Sequence, residues 1–162
     1  MTDKHRVTPT PEIERQLRFI PSTSVVSFDA ITAVCVIPFL PSGEIVAIVE
    51  KRGLDIPGGH VQCGEASVEE VGRREALEEA AITLGPLILV GYLESPPKDQ
   101  ADRTTYIAML TSFVTTLYAL GTEHALDRRT LNTKSFLAEY AGGPQEIMSI
   151  LLERAQNALF AS

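Results

Sequence analysis

The chain has no tryptophan, three histidines and two cysteines in 162 residues. Two thiols, Cys35 in an apolar run and Cys63 in a glycine-containing stretch, make no disulfide framework, and the expected setting is a reducing cytoplasm. His5, His60 and His124 are too scattered for a zinc ligand pattern. Long hydrophobic runs are also missing. The longest, Ile31 to Leu40, is about half of the roughly 20 residues needed to span a bilayer. The N-terminal stretch MTDKHRVTPTPEIERQ lacks an apolar signal core, so neither membrane insertion nor secretion is expected. Positive charge is short as well: 14 Lys and Arg against 21 Asp and Glu leave a net charge of −7. That balance argues against a general nucleic-acid binder, which needs a positive field along its surface. With 44% hydrophobic residues, no repeat and no low-complexity tract, residues 1–162 are expected to form one domain around a core of ordinary size.

Against these absences, residues Gly58 to Ile82 carry an unusual concentration of signals: GGHVQCGEASVEEVGRREALEEAAI. On a helix, Glu75, Glu78 and Glu79 fall within an arc of about 100°, which crowds three carboxylates onto one face. Like charges held that close repel, so a cation is expected against them. Clustered oxygen donors suit a hard ion such as Mg2+ or Mn2+, which keeps several waters and takes phosphate oxygens. Glutamate-rich helix faces are most often mere solvated surface. Here, however, Pro57-Gly58-Gly59 and Cys63-Gly64-Glu65 precede the helix, and a solvated helix has no need of such backbone-shaping residues. The helix start is also marked, because Ser67-Val68-Glu69-Glu70 reads as a capping box with Ser67 as N-cap.

The segment resembles a Nudix box: Gly, five residues, Glu, seven residues, then Arg-Glu-apolar-any-Glu-Glu-any-Gly-apolar. Gly59 and Glu65 match the first half; Arg74, Glu75, Ala76, Glu78, Glu79 and Ile82 match the second. Two departures stand out. Eight residues separate Glu65 from Arg74, and Ala81 stands where the last glycine belongs. The Ser67 cap places the extra residue at Ala66, outside the helix, so the register of the three glutamates survives. The added chain, about 3.5 Å, threatens instead the contact between Glu65 and Arg74. Ala81 at a left-handed position costs on the order of 1 kcal/mol more than glycine, unless the helix ends differently.

The resemblance implies an α/β fold, a Nudix-like α/β/α sandwich with a mixed β-sheet, and metal-dependent cleavage of a pyrophosphate bond. Glu75, Glu78 and Glu79 are then the ligands of Mg2+ or Mn2+, joined by the Gly59 carbonyl. Arg74 orients a glutamate, and Glu65 braces the loop. Gly58, Gly59 and His60 are candidate substrate contacts. Arg52, at a strand end before the loop, is a phosphate contact or a solvated cation. The general base stays unassigned among Glu94, Asp99, Asp102, Glu123, Asp127 in the loop after the last long strand, and a box glutamate. Arg128 and Arg129 either bind phosphate or are solvated. The expected substrate is a small phosphorylated nucleotide, a nucleoside diphosphate linked to another moiety of the ADP-ribose or NDP-sugar kind. A nucleoside triphosphate and a non-catalytic nucleotide-binding module are the alternatives. With no tryptophan, base stacking falls to Tyr92, Tyr106, Phe113 or Phe136. A homodimer is a family-level expectation.

Local patterns supply the remaining elements. Thr10-Pro11-Glu12 starts a short helix to about Arg18. Ala30 to Leu40 and Glu44 to Glu50 read as strands joined by a hairpin turn at Pro41-Ser42-Gly43. Leu87 to Leu93 and Thr105 to Leu120 are further strands, the second long enough to bulge. Ser95 to Asp102 is the richest loop signal, and its prolines are explained by a turn as readily as by a substrate preference. An amphipathic helix at about 144–159 is expected to pack on the sheet. Within the box helix, Ala76, Leu77 and Ala80 are expected to face the core, and Val68 and Val71 to meet another element.

Overall fold

A computed structural model describes residues 17–97 and 103–161. The strands are β1 (Arg18–Pro21), β2 (Ile31–Phe39), β3 (Ile45–Glu50), β4 (Gly53–Asp55), β5 (Gly58–His60), β6 (Ile82–Leu84), β7 (Ile88–Ser95), β8 (Thr105–Leu117) and β9 (Asp127–Leu131). The helices are α1 (Val68–Ala80), α2 (Thr133–Glu139) and α3 (Gln145–Phe160). The sheet runs β1-β7-β8-β2-β3-β4, with β5 added to β2, β6 to β8 and β9 to β3. β2 and β8 pair in parallel while the other pairs are antiparallel, so the sheet is mixed. α1 packs over β2, β5 and β6, whereas α3 packs against β7 and β8.

The two-residue period of a strand explains this layering, because alternate side chains of one apolar run serve opposite faces. Val34 and Val36 of β2, with Ala108 and Leu110 of β8, join Val71, Ala76 and Ala80 of α1 in one core. Ile37, Phe39 and Met109 join Met148, Leu151 and Leu152 of α3 in the other. The α/β/α expectation is met. The hairpin is present, with Gly43 at φ 95° and the Leu40 N–H donated to Glu44 O at 2.8 Å. The last helix begins one residue after Pro144.

Several expectations need correction. Arg18 belongs to a strand paired with β7, not to a helix; the rest of that expected helix, residues 10–16, lies outside the described residues. Leu77 is 47% exposed. The buried stripe of α1 runs through Val71, Gly72, Glu75, Ala76 and Ala80, which leaves Leu77 on the far side. Asp127 to Leu131, expected as a loop, is an edge strand on β3. Its charged sequence hides that role, and charge is how edges avoid further pairing. The long strand β8 changes partners along its length, from β7 and β2 to β6, with a register shift on β6. Among the described residues no helix is long and apolar enough to cross a membrane.

Candidate active site

α1 is the frame of the site, and both its ends are fastened by side chains. At the N-terminus Ser67 Oγ accepts from the Glu70 N–H at 3.2 Å. Glu70 reaches back one residue further than a standard capping box, accepting from the Ala66 N–H at 2.9 Å. The added residue of the loop is thereby tied into the cap. At the C-terminus Ala81 adopts the left-handed conformation, φ 53° and ψ 46°, so the helix ends as it would with glycine. Its end carbonyls find partners: Arg128 Nη1 donates to Ala80 O at 2.7 Å and to Ala81 O at 3.4 Å. The Ala125 N–H donates to Glu79 O at 3.0 Å. Arg128 is therefore engaged in holding the helix, and Arg129 pairs with Glu139 at 2.5 Å.

Arg74 is the hub. Its Nε and Nη2 donate to the two oxygens of Glu65 at 3.0 and 2.8 Å, a bidentate geometry that Lys could not reproduce. Nη1 donates to Glu75 at 2.7 Å and Glu78 at 3.0 Å, and Nη2 also reaches His60 O at 3.0 Å. These partners raise the guanidinium pKa, the Glu65 bond most of all, and the same bond lowers the Glu65 pKa. The loop departure does not break the contact. Residues 62–65 close a turn on themselves, with Glu65 N–H to Gln62 O at 3.1 Å and Gln62 N–H to Glu65 Oε1 at 2.7 Å. Gly64, at φ 91°, supplies the conformation that such a turn requires.

Glu75 is buried and lies against Gly59, where a Cβ would overlap its carboxylate. Glu79, one turn on, is half-buried; its Oε1 accepts from the Gly58 N–H at 3.3 Å. Burial, and then the adjoining Glu75 carboxylate, push the Glu79 carboxyl up to about 8, while the Gly58 N–H pulls the other way. Of the three expected carboxylates, Glu75 and Glu79 thus adjoin, whereas Glu78 is more than half exposed and turned to Arg74. Among the described residues no three His, Cys, Asp or Glu side chains already converge as a metal cage. Two carboxylates nevertheless fit Mg2+, which takes its remaining ligands from water and phosphate.

Glu79 and Gly58 border a cavity of about 740 Å³ that extends between the sheet and α3. Arg52 lines the cavity and is ion-paired with Asp55. Asp55 is buried, with Oδ1 accepting from the Ile56 N–H at 2.8 Å. His60 is exposed and does not line the cavity; its ring Nδ1 lies 3.4 Å from Thr32 O. The four aromatic residues expected to stack on a base are absent from the lining: Tyr92 and Tyr106 pack edge to face at 6.3 Å, Phe113 packs on Phe160, and Phe136 is fully buried. Tyr140 lines the cavity instead. It and Asp55 escaped sequence reasoning; the nearby Gly142-Gly143-Pro144 was the signal available for Tyr140. Of the candidate bases, Glu94 pairs with Arg18 at 3.0 Å, and Glu123 is exposed, 3.6 Å from the His124 Nδ1 that accepts from the Gly121 N–H. Asp127 accepts from its neighbour's N–H at 2.8 Å, and Asp99 and Asp102 lie outside the described residues. Glu50, which no sequence pattern marks, borders the cavity beside Glu79.

Comparison with known proteins agrees with this fold. A family model for the NUDIX domain matches residues 30–132. A pyrophosphohydrolase of Bacillus subtilis, solved as a Glu-to-Ala mutant, has a TM-score of 0.67 at 18% identity, covering 91% of this chain and 92% of that one. A NUDIX hydrolase from Nitrosomonas europaea has a TM-score of 0.61 at 19% identity, with 79% and 90% covered. A MutT protein from Methanosarcina mazei has 0.58 at 18% identity, with 80% and 95% covered. A sequence search of curated proteins finds no match. The fold, the intact Arg74 hub and the match over residues 30–132 establish that the chain belongs to the Nudix hydrolase family.

Proposed function

We propose that this Nudix hydrolase is a divalent-metal-dependent enzyme that cleaves the pyrophosphate bond of a nucleoside diphosphate linked to another moiety, of the ADP-ribose or NDP-sugar kind. The observation that carries the reading is the continuity of the Glu79 and Gly58 end with a cavity of about 740 Å³. A diphosphate at the carboxylates and an organic group in the cavity fit together in one substrate. Glu75 and Glu79, with the Gly59 carbonyl, are the proposed holders of Mg2+ or Mn2+, and Glu78, bonded to Arg74 here, is the proposed third carboxylate. Such an ion supplies neutralisation of phosphate oxygens and acidification of a bound water.

The chain's own residues do the rest. Arg74 fixes Glu75 and leaves it no freedom to swing away, because the same guanidinium is clamped by Glu65. Asp55 holds Arg52 at the cavity, where its remaining donors can meet a phosphate. Glu79 and Glu50, which border the cavity, are the proposed acceptors of a proton from the attacking water. The test is a panel of dinucleotides, nucleoside diphosphate sugars and nucleoside triphosphates with Mg2+ or Mn2+, read as release of nucleoside monophosphate or phosphate. Turnover that Glu79→Gln lowers by about 100-fold or more supports the enzyme. Nucleotide binding without turnover under either metal would leave a binding module, and triphosphate preference would move the substrate class.

A further inference from the structure

The inner wall of the cavity is nearly all hydrocarbon. Leu93, Ile107 and Met109 come from the sheet, and Met148 and Leu151 from α3. The charged liners Glu50, Lys51, Arg52, Asp55 and Glu79 all come from the β3–β4 region and the end of α1. Tyr140, between α2 and α3, lines the cavity as well, with its hydroxyl near enough to feel the charges of Asp55 and Arg52. Its ring is held in place against Phe136, with centroids 5.5 Å apart and planes at 37°. The chain beside it is tied to β4 through the Ala141 N–H, which donates to Leu54 O at 2.9 Å. Tyr140 Oη lies 3.3 Å from where a Cβ on Gly143 would stand, and Gly143 is itself a cavity residue.

That hydroxyl has no hydrogen-bond partner among the described residues. Tyr140 is only partly buried and lines the cavity. Burial, then the charge of Asp55, raise its pKa, which keeps the group a neutral donor. A hydroxyl-rich sugar placed against the hydrocarbon wall would lose water contacts without replacement. A planar heteroaromatic group would lose little, and one acceptor on it would meet the one donor.

We infer that Tyr140 is a specificity-determining residue: its ring is the face for a planar base, and its hydroxyl donates to an acceptor on that base. The inference rests on the nucleotide reading above and gives the cavity to the base, which leaves the sugar of the second moiety at the charged end. Discrimination among bases is then modest, since a single rotatable donor reads them.

Binding of monophosphates, which are not hydrolysed at a pyrophosphate bond, tests this independently of turnover. The probes are adenosine monophosphate, ribose 5-phosphate and geranyl phosphate, titrated by calorimetry with Mg2+ into the wild-type chain and into Tyr140→Phe, whose fold is checked by its melting temperature. Adenosine monophosphate should bind about tenfold or more tighter than ribose 5-phosphate. Tyr140→Phe should weaken it roughly threefold to tenfold, the range for one neutral hydrogen bond, and leave geranyl phosphate unchanged. Equal binding of adenosine monophosphate and ribose 5-phosphate overturns the inference, as does an unaltered affinity in Tyr140→Phe or an equal loss for geranyl phosphate. If this pattern holds while the dinucleotide panel is not hydrolysed, the proposed reaction fails and the role of Tyr140 stands. If the panel is hydrolysed with a KM indifferent to Tyr140→Phe, the reaction stands and the role of Tyr140 fails.

Discussion

Replacing Arg128 by alanine should loosen the helix that carries the carboxylates. The side chain is half-buried and donates to two carbonyls at the negative end of α1, those of Ala80 and Ala81. A hydrogen bond from a charged donor contributes about 1.5–3 kcal/mol, and a cation at a helix C-terminus adds roughly 0.5 kcal/mol. Partial exposure favours the lower part of that sum, about 2–3 kcal/mol. For a chain of this size, the melting temperature should fall by roughly 5–10 °C. Arg128→Lys should recover about half the loss, since an ammonium reaches one carbonyl without the planar fork. Thermal melts of the three proteins, with KM measured on the best substrate of the panel, separate this from a phosphate contact. A phosphate contact predicts a raised KM and an unchanged melt. An Arg128→Ala protein that melts within about 1 °C of wild type refutes the capping role.

The Glu79 carboxyl, pushed up to about 8 in the fold, keeps a proton that the unfolded chain releases near pH 4.3. In EDTA, stability should therefore fall as pH rises from about 5 to 8, and Glu79→Gln should flatten that slope in thermal melts. Arg74→Lys retains the charge but not the fork to Glu65; kcat should drop by about tenfold or more while the fold persists by circular dichroism. Gly59→Ala puts a Cβ into the space of the Glu75 carboxylate. Addition of Mg2+ should raise the melting temperature of the wild-type chain, as a ligand of the native state must, and should no longer do so in this variant.

Local chemistry was the most legible part of the fold. The Ser67 cap placed the start of α1 at Val68, and the apolar runs located β2, β3 and β8, because caps and strand periodicity act over a few residues. The short strands β4, β5 and β6 carry three residues each, too few for a period to show. Their pairing is set by partners far along the chain. Leu77 misled for a related reason: a helix face is chosen by what packs on it, and Glu75 took a place that hydropathy assigns to an apolar residue. At the site, the glutamates and Arg74 were legible as a motif. The extra loop residue looked more damaging than it is, since a turn that hydrogen-bonds to itself does not transmit its length to Glu65. Tyr140 and Asp55 were not legible. They reach the cavity from segments separated by some eighty positions, and no local pattern joins them.

The cavity lies between layers, with Glu79 of α1 at one end and Met148 and Leu151 of α3 along its side. A ligand seated there touches both helical layers, so its binding free energy is shared between α1 and α3. Opening of α3 away from the sheet must then release the ligand, and occupancy must suppress that opening. Amide protons of α3, remote from the carboxylates in sequence, are thus built-in reporters of occupancy, and their hydrogen exchange should slow in proportion to ligand affinity.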